Sequence, residues 1–254
     1  MRITKRIRNR LCGFFASKGL EILKKDLSGL SLYEIQRCYI SFSRHAEDLQ
    51  VLKALEICGV NRKTPGFYLD IGCFDPIYHS NTLLLHKLGW RGMNVDIAQE
   101  AVNSFILQRP LDINLCRAVG PVDGWCRFIK HQNPRENSIE IIPCESNEFV
   151  EDKIPVTRLD TMISEFASEF QSIDFLDIDC EGLDLEVIQT FPFQQYHPIV
   201  ICIEEHHPER YEILQNYMVR SGYQLFSKCF YSYIFVDRLS FEQSLYFEKN
   251  FGKT

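Results

Sequence analysis

The sequence predicts an α/β domain: a mainly parallel sheet with helices on both faces and an antiparallel strand pair near the C-terminus. Three observations predict it. Short apolar runs, FYLDIG, GMNVDI, LCRAVG, IDFLDID and PIVICIEE, are separated by stretches with helical spacing, and strands alternating with helices build βαβ units. The runs do not alternate strictly between apolar and polar residues, which is the pattern of strands covered on both faces. YQLFSKCF is followed at once by YSYIFVDRL, close enough for an antiparallel pair joined by a tight connection.

Taken in order, the chain opens on MRITKRIRNRLCGFF, which sets Ile3, Ile7, Leu11 and Phe14 or Phe15 along one helical face with Arg2, Lys5, Arg6 and Arg10 largely elsewhere. Such a helix suits a membrane surface, a partner or a transit peptide, or packs on the domain with a solvated basic face. Two further helical segments follow between Leu30 and Val60, the clearer over Ser43 to Leu55, with Ala46, Leu49, Leu52 and Leu55 on one side and Gly59 suited to its end. We therefore divide the chain into an N-terminal helical segment, residues 1–60, packed on the α/β domain, residues 61–254. Helices are expected at Thr82 to Leu88, Gln99 to Gln108, Leu159 to Phe170 and Leu183 to Phe191. Residues 124–157 read as an insertion beside the site, with short strands at WCRFI and NSIEII and a polar stretch from His131 to Asn137.

Composition narrows the function. At 254 residues and 45% hydrophobic, the chain can bury one large core. Residues 1–25 hold eight Lys/Arg against Glu21, a net of +7, which leaves −13 on the rest of a chain whose total is −6. An acidic body argues against nucleic acid as partner, because phosphate contacts need a basic face. The ten cysteines are scattered without a CxxC pair, several inside apolar runs, as expected of a reduced, cytoplasmic protein without a zinc centre. No apolar run is long enough to span a bilayer.

In an open parallel sheet, ligands bind beyond the carboxyl ends of the strands. The first strand ends in Asp70, Gly72 and Asp75, a carboxylate and a glycine where the chain turns closely past a ligand or simply into a tight βα connection. The second ends at Asp96, 24 residues after Gly72, near the spacing at which a carboxylate accepts bonds from ribose hydroxyls; the same residue also suits a cap for the helix that follows. The fourth, FLDIDCEGLDLEV, puts Asp177 and Asp179 on one face, and like charges crowd there only with a cation, proton or ligand between them, unless one of these acids caps the next helix. The fifth ends in Glu204, Glu205 and His206. Acids from the last two strand ends can hold Mg²⁺ through oxygen, or leave Asp179 or His206 as a general base, or stand as ordinary surface groups.

The ordered series SFSRHAEDLQVLKAL, FYLDIGCFDPIYHSNTLLLHKLGWRGMNVD, VTRLDTMI, IDFLDIDCEGLDLEVIQTF and IVICIEEH resembles the FkbM-type methyltransferases from about Ser41 to His207. The SNT and GWRG elements and the DIDCEG strand end carry most of the likeness. The resemblance implies a Rossmann-like class I methyltransferase sheet, S-adenosylmethionine as cofactor, and a hydroxyl of a small molecule or glycan as methyl acceptor. It assigns Asp70, Gly72, Asp75, Asn81, Asp96 and Asp177 to the cofactor, with Ala118 and Val119 beside the adenine and Asp179 and His206 as catalytic groups. By analogy with related O-methyltransferases, Asp179, Glu204 and Glu205 would hold Mg²⁺. The glycine-rich turn of many such enzymes is reduced here to Gly72, followed by Cys73 and Phe74. A nicotinamide-dependent oxidoreductase also fits Asp96 but lacks its GxGxxG turn, and a non-catalytic binding module on the same fold is the other alternative.

Overall fold

The structure is a computed structural model describing residues 39–60, 65–129, 131–132, 138–142, 153–167 and 170–251; the basic helix expected over residues 1–25 lies outside them, as do Cys12, Cys38 and Cys144. A compact unit runs over Ser41–Thr254. It is a mixed α/β fold around one large sheet.

Seven strands form that sheet. They are β1 (Phe67–Ile71), β2 (Arg91–Asp96), β3 (Ile113–Cys116), β8 (Phe175–Ile178), β9 (Val200–Glu204), β10 (Tyr223–Cys229) and β11 (Ser232–Asp237), in the order β10-β11-β9-β8-β1-β2-β3. β1 runs parallel to both β2 and β8, β2 to β3, and β8 to β9; β11 is antiparallel to β9 and to β10. Strand order therefore reverses at β1, with β2 on one side and β8 on the other, and the crevice beyond their carboxyl ends is where such a sheet leaves room for a ligand.

The helices are α1 (Glu47–Ile57), α2 (Leu83–Lys87), α3 (Gln99–Gln108), α4 (Leu159–Phe166), α5 (Asp184–Ile188), α6 (Pro208–Arg220) and α7 (Arg238–Phe251). Two apolar clusters sandwich the sheet. Phe67, Leu69 and Ile71 of β1 pack with Met162 and Ile163 of α4, Val187 of α5 and Leu214 of α6. Tyr68 faces the other way, toward Val51, Ala54 and Leu55 of α1 and toward Trp90. Burial on both faces explains why β1 and β8 read as continuous apolar runs broken only by Asp70 and Asp177. Val51 and Leu55, four apart on α1, explain why that helix docks on the sheet.

The insertion forms its own sheet. β4 (Ala118–Val119), β5 (Gly124–Ile129), β6 (Ser138–Ile142) and β7 (Lys153–Thr157) lie in the order β4-β7-β5-β6, and a small cluster of Ala118, Cys126 and Val156 seals it. LCRAVG, which reads as one strand, is divided at Arg117: Cys116 pairs with Asp96 in the large sheet, while Ala118 pairs with Val156 in the small one. Hydrophobicity is blind to this division because both halves are covered by apolar neighbours. Among the described residues no helix is long and apolar enough to cross a membrane, and the described cysteines are all free thiols.

Candidate functional site

The turn after β1 sets the geometry. Gly72 has φ +81°, and a Cβ there would lie 1.8 Å from the Asp179 carbonyl oxygen, so no side chain fits. Its N–H and that of Cys73 donate to the Val95 carbonyl at 2.9 and 3.1 Å, which draws the ends of β1 and β2 together, and Asp179 N–H donates to the Ile71 carbonyl at 2.9 Å, which brings in the end of β8. The loop then crosses Asp96, whose Oδ2 accepts from Phe74 N–H at 2.9 Å while Oδ1 accepts from Ala98 N–H at 2.7 Å. Asp96 thus braces the loop and the entry to α3 at once. A carboxylate has about four acceptor sites, so some capacity remains beyond these backbone bonds on a residue that lines the cavity. Asp75 folds back on its own loop, accepting from the Ile77 and Tyr78 N–H groups, and does not line the cavity.

Beneath the loop lies a buried polar network. Arg109, directly after α3, is 1% exposed and donates from Nη1 to Tyr68, Thr82 and Asn94, and from Nη2 to the Pro76 carbonyl and Ser80 at 2.7 and 2.9 Å. Thr82 passes the contact on by donating its hydroxyl to Asp70. Burial pushes the Asp70 carboxyl up to about 6, although Arg109 and the Thr82 bond favour its charge. Asp177, its pairing partner on β8, is held well above the usual carboxylate range, first by burial and then by Asp70, while Asn81 donates to both of its oxygens at 3.2 and 3.0 Å. The SNT element therefore works as a unit: Ser80 and Thr82 take the guanidinium and Asn81 takes the carboxylate.

At the ends of β8 and β9 the acids meet. Burial and then the adjacent Glu204 hold the Asp179 carboxyl well above the usual carboxylate range, and its Oδ1 is buried without a hydrogen-bond partner. His206 Nε2 lies 2.9 Å from Glu204 Oε2, at the rim behind that carboxylate and outside the cavity wall. Glu205 turns away into the body, where it accepts from Arg210 Nε at 3.0 Å and from His207 N–H. The set Asp179, Glu204 and Glu205 is therefore not brought together. Among the described residues, Glu181, Glu204 and His206 have ligand atoms within 4.8 Å of one another, but exposed acids cluster this way on many surfaces without an ion. Asp184 fastens the turn after β8, accepting from Cys180 and Gly182 N–H at 2.7 and 3.0 Å.

One cavity collects these groups. Asp70, Gly72, Asn81, Asp96, Ala118, Val119, Asp177, Asp179 and Glu204 all line it; Asp75, Glu205 and His206 do not. Of its remaining walls, only the insertion was expected beside the site; the segment before α1 and the β10–β11 connection were not. Arg44, His45 and Glu47 precede or open α1, Ser138 and Ile139 come from the insertion, and Phe230, Tyr231 and Ser232 from the β10–β11 connection. Asp48 pins the first of these walls by accepting from the Ser41 and Ser43 hydroxyls and the Phe42 N–H. The signal for that wall was present in SFSRHAED, where two serines precede an acid at a helix start. Arg109 had no comparable signal, because an arginine after a helix is ordinary and its burial depends on the loop that folds over it.

A comparison with curated proteins returned no match. A comparison with protein families matched the methyltransferase FkbM domain over residues 58–233, more than half of the chain and everything from the end of α1 to the start of β11. That span holds the Gly72 turn, the SNT element, the insertion and the acid-bearing ends of β8 and β9, and by it the chain belongs to the FkbM methyltransferase family.

Proposed function

We propose that the chain is an S-adenosylmethionine-dependent O-methyltransferase acting on a hydroxyl of a small molecule or glycan. The observation that carries this reading is the shared cavity: Asp70, Asp96, Asp177 and Asp179, from three parallel strands, open on one space beside a backbone turn too tight for any side chain. Those residues suit the cofactor. The free acceptor capacity of Asp96 fits vicinal ribose hydroxyls, the buried and apolar Ala118 and Val119 fit an adenine face, and the surrounding acids favour a cationic sulfur. When bound, the cofactor supplies an electrophilic methyl carbon.

The protein's task is then to hold the acceptor oxygen in line and to take its proton. Asp179, which lines the cavity and has a raised pKa, is a stronger base than an exposed carboxylate once it is ionised, and its carboxylate accepts the hydroxyl proton. Glu204 sits against it, backed by His206, so a proton received at the cavity wall has a route to solvent. A cationic sulfur favours the ionised form of these raised carboxyls, so cation binding and their ionisation support one another and a neutral product is held less well.

Calorimetric titration with S-adenosylmethionine, S-adenosylhomocysteine and NAD tests the reading. The first two are expected to bind and NAD to give no heat. Asp96→Ala is expected to weaken cofactor affinity at least tenfold while the far-ultraviolet circular dichroism stays native. Binding of NAD in place of the sulfur nucleosides, or undiminished affinity in the variant, would overturn it.

A further inference from the structure

The β10–β11 hairpin holds two residues that the fold does not need in their present form. Cys229 pairs directly with Ser232, so Phe230 and Tyr231 make a two-residue connection, and Phe230 takes φ +57°. Hairpins of this length favour glycine or asparagine at such a position, because a bulky side chain in the left-handed region is strained. Burial does not compensate, since the Phe230 side chain is 57% exposed. An exposed aromatic held in a strained conformation on the wall of a cavity points to a ligand.

The surrounding bonds make the tip rigid. Tyr231 C=O accepts from Glu205 N–H at 2.9 Å, and Ser232 pairs with Glu204, so the tip is fastened to the acid-bearing end of β9. Buried Glu47 ties it to the wall before α1, accepting from the Ser232 hydroxyl at 3.4 Å and from His45 N–H at 2.7 Å. His45 and Phe230 have ring centroids 4.8 Å apart, and Phe230 and Tyr231 stand 4.2 Å apart at 64° to one another. The result is an aromatic corner lining the cavity next to Glu181 and Glu204.

We propose that this corner is the acceptor subsite and that the acceptor is a pyranoside, its C–H face against the Phe230 and Tyr231 rings and its hydroxyls toward Glu181 and Glu204. The inference rests on the methyltransferase reading and narrows it to one acceptor class. A saturated sugar ring has both chemistries that the corner offers. Its axial C–H bonds carry partial positive charge and are drawn to the electron-rich aromatic face, and its hydroxyls donate to carboxylates. A wholly apolar acceptor would cover the carboxylates without offering them a donor, and a phosphorylated one would be repelled by them.

The test uses the full chain with S-adenosylhomocysteine added, in saturation-transfer NMR against methyl glycosides of gluco, galacto, manno, fuco and rhamno configuration, with cyclohexanol as the apolar control. Transfer is expected to the ring C–H protons of at least one glycoside and to exceed that to cyclohexanol. Phe230→Ala and Tyr231→Ala are each expected to weaken that glycoside at least tenfold, leaving the affinity for S-adenosylhomocysteine unchanged. Phe230→Gly should show the same loss with a Tm no lower than wild type, since it relieves the left-handed φ; a ring with a merely structural role would lower it. Absence of transfer to every glycoside, equal transfer to cyclohexanol, or full affinity in both alanine variants overturns the proposal. Repeating the glycoside measurement without S-adenosylhomocysteine separates the two readings: failure of the nucleoside to bind refutes the cofactor assignment, whereas the glycoside result alone decides the corner.

Discussion

Gly72 carries more of the site than its size implies. At φ +81° and with the Asp179 carbonyl where its Cβ would be, Gly72→Ala must move either the loop or the end of β8. We expect a loss of about 2 kcal/mol or more in urea unfolding, from left-handed strain together with overpacking, and loss of nucleoside binding in calorimetry. A variant with wild-type stability and affinity would show that the turn has slack. The need for glycine was legible in the sequence, because a DIG strand end announces a tight turn. Its cause was not, since Asp179 lies more than a hundred residues further on and meets Gly72 only through the pairing of β1 with β8. Asp96 and Asp184 show the same limit. Both were legible as strand-end or helix-start acids, but only coordinates reveal that each braces backbone N–H groups of a loop.

Among elements, the end of α3 does the least visible work. Arg109 spans from the SNT element to the Pro76 carbonyl and is the cation beneath Asp70. Arg109→Leu leaves Ser80, Thr82 and the Pro76 carbonyl without their donor and removes the charge that offsets Asp70, at a cost of about 3 kcal/mol or more in chemical denaturation. Arg109→Lys should recover only part of this, because an ammonium cannot fork between five acceptors; full recovery by lysine would mean that charge alone matters. Helix positions were readable from apolar spacing, as with α3, which follows the expected Gln99 to Gln108. Ends were less readable: the helix expected over Leu183 to Phe191 is confined to Asp184–Ile188, where Asp184 is spent on the preceding turn. The partner of each strand was the least readable of all, as the division of LCRAVG between two sheets shows.

For the whole molecule, gathering acids at one rim has a cost that pH reveals. Burial pushes Asp184 up to about 7 and Asp70 up to about 6, so the folded protein keeps protons that the unfolded chain has released above about pH 4. Folded-state stability therefore falls as pH rises from about 4 to 7, by at most about 4 kcal/mol for Asp184. Asp112 and Asp237 act in the opposite sense: despite burial, the His86 ring 3.6 Å away and hydrogen bonds from Tyr68 and Asn94 hold the first below the usual range, hydrogen bonds from Ser240 and His197 hold the second, and their contribution is lost only in stronger acid. Urea unfolding of Asp184→Asn across pH 4 to 8 should give a flatter profile than wild type; an unchanged slope would refute the assignment. The overall α/β layering was legible because it follows from local periodicity, whereas the cavity was only half legible because its outer walls come from distant segments. One of those walls has a structural corollary. The chain leaves for the insertion at Ala118 and returns at Val156, and these two residues sit side by side in the small sheet. A segment whose two ends meet in this way behaves as a cassette: what lies between can lengthen or change shape without pulling apart the strands of the large sheet on which the cavity floor rests.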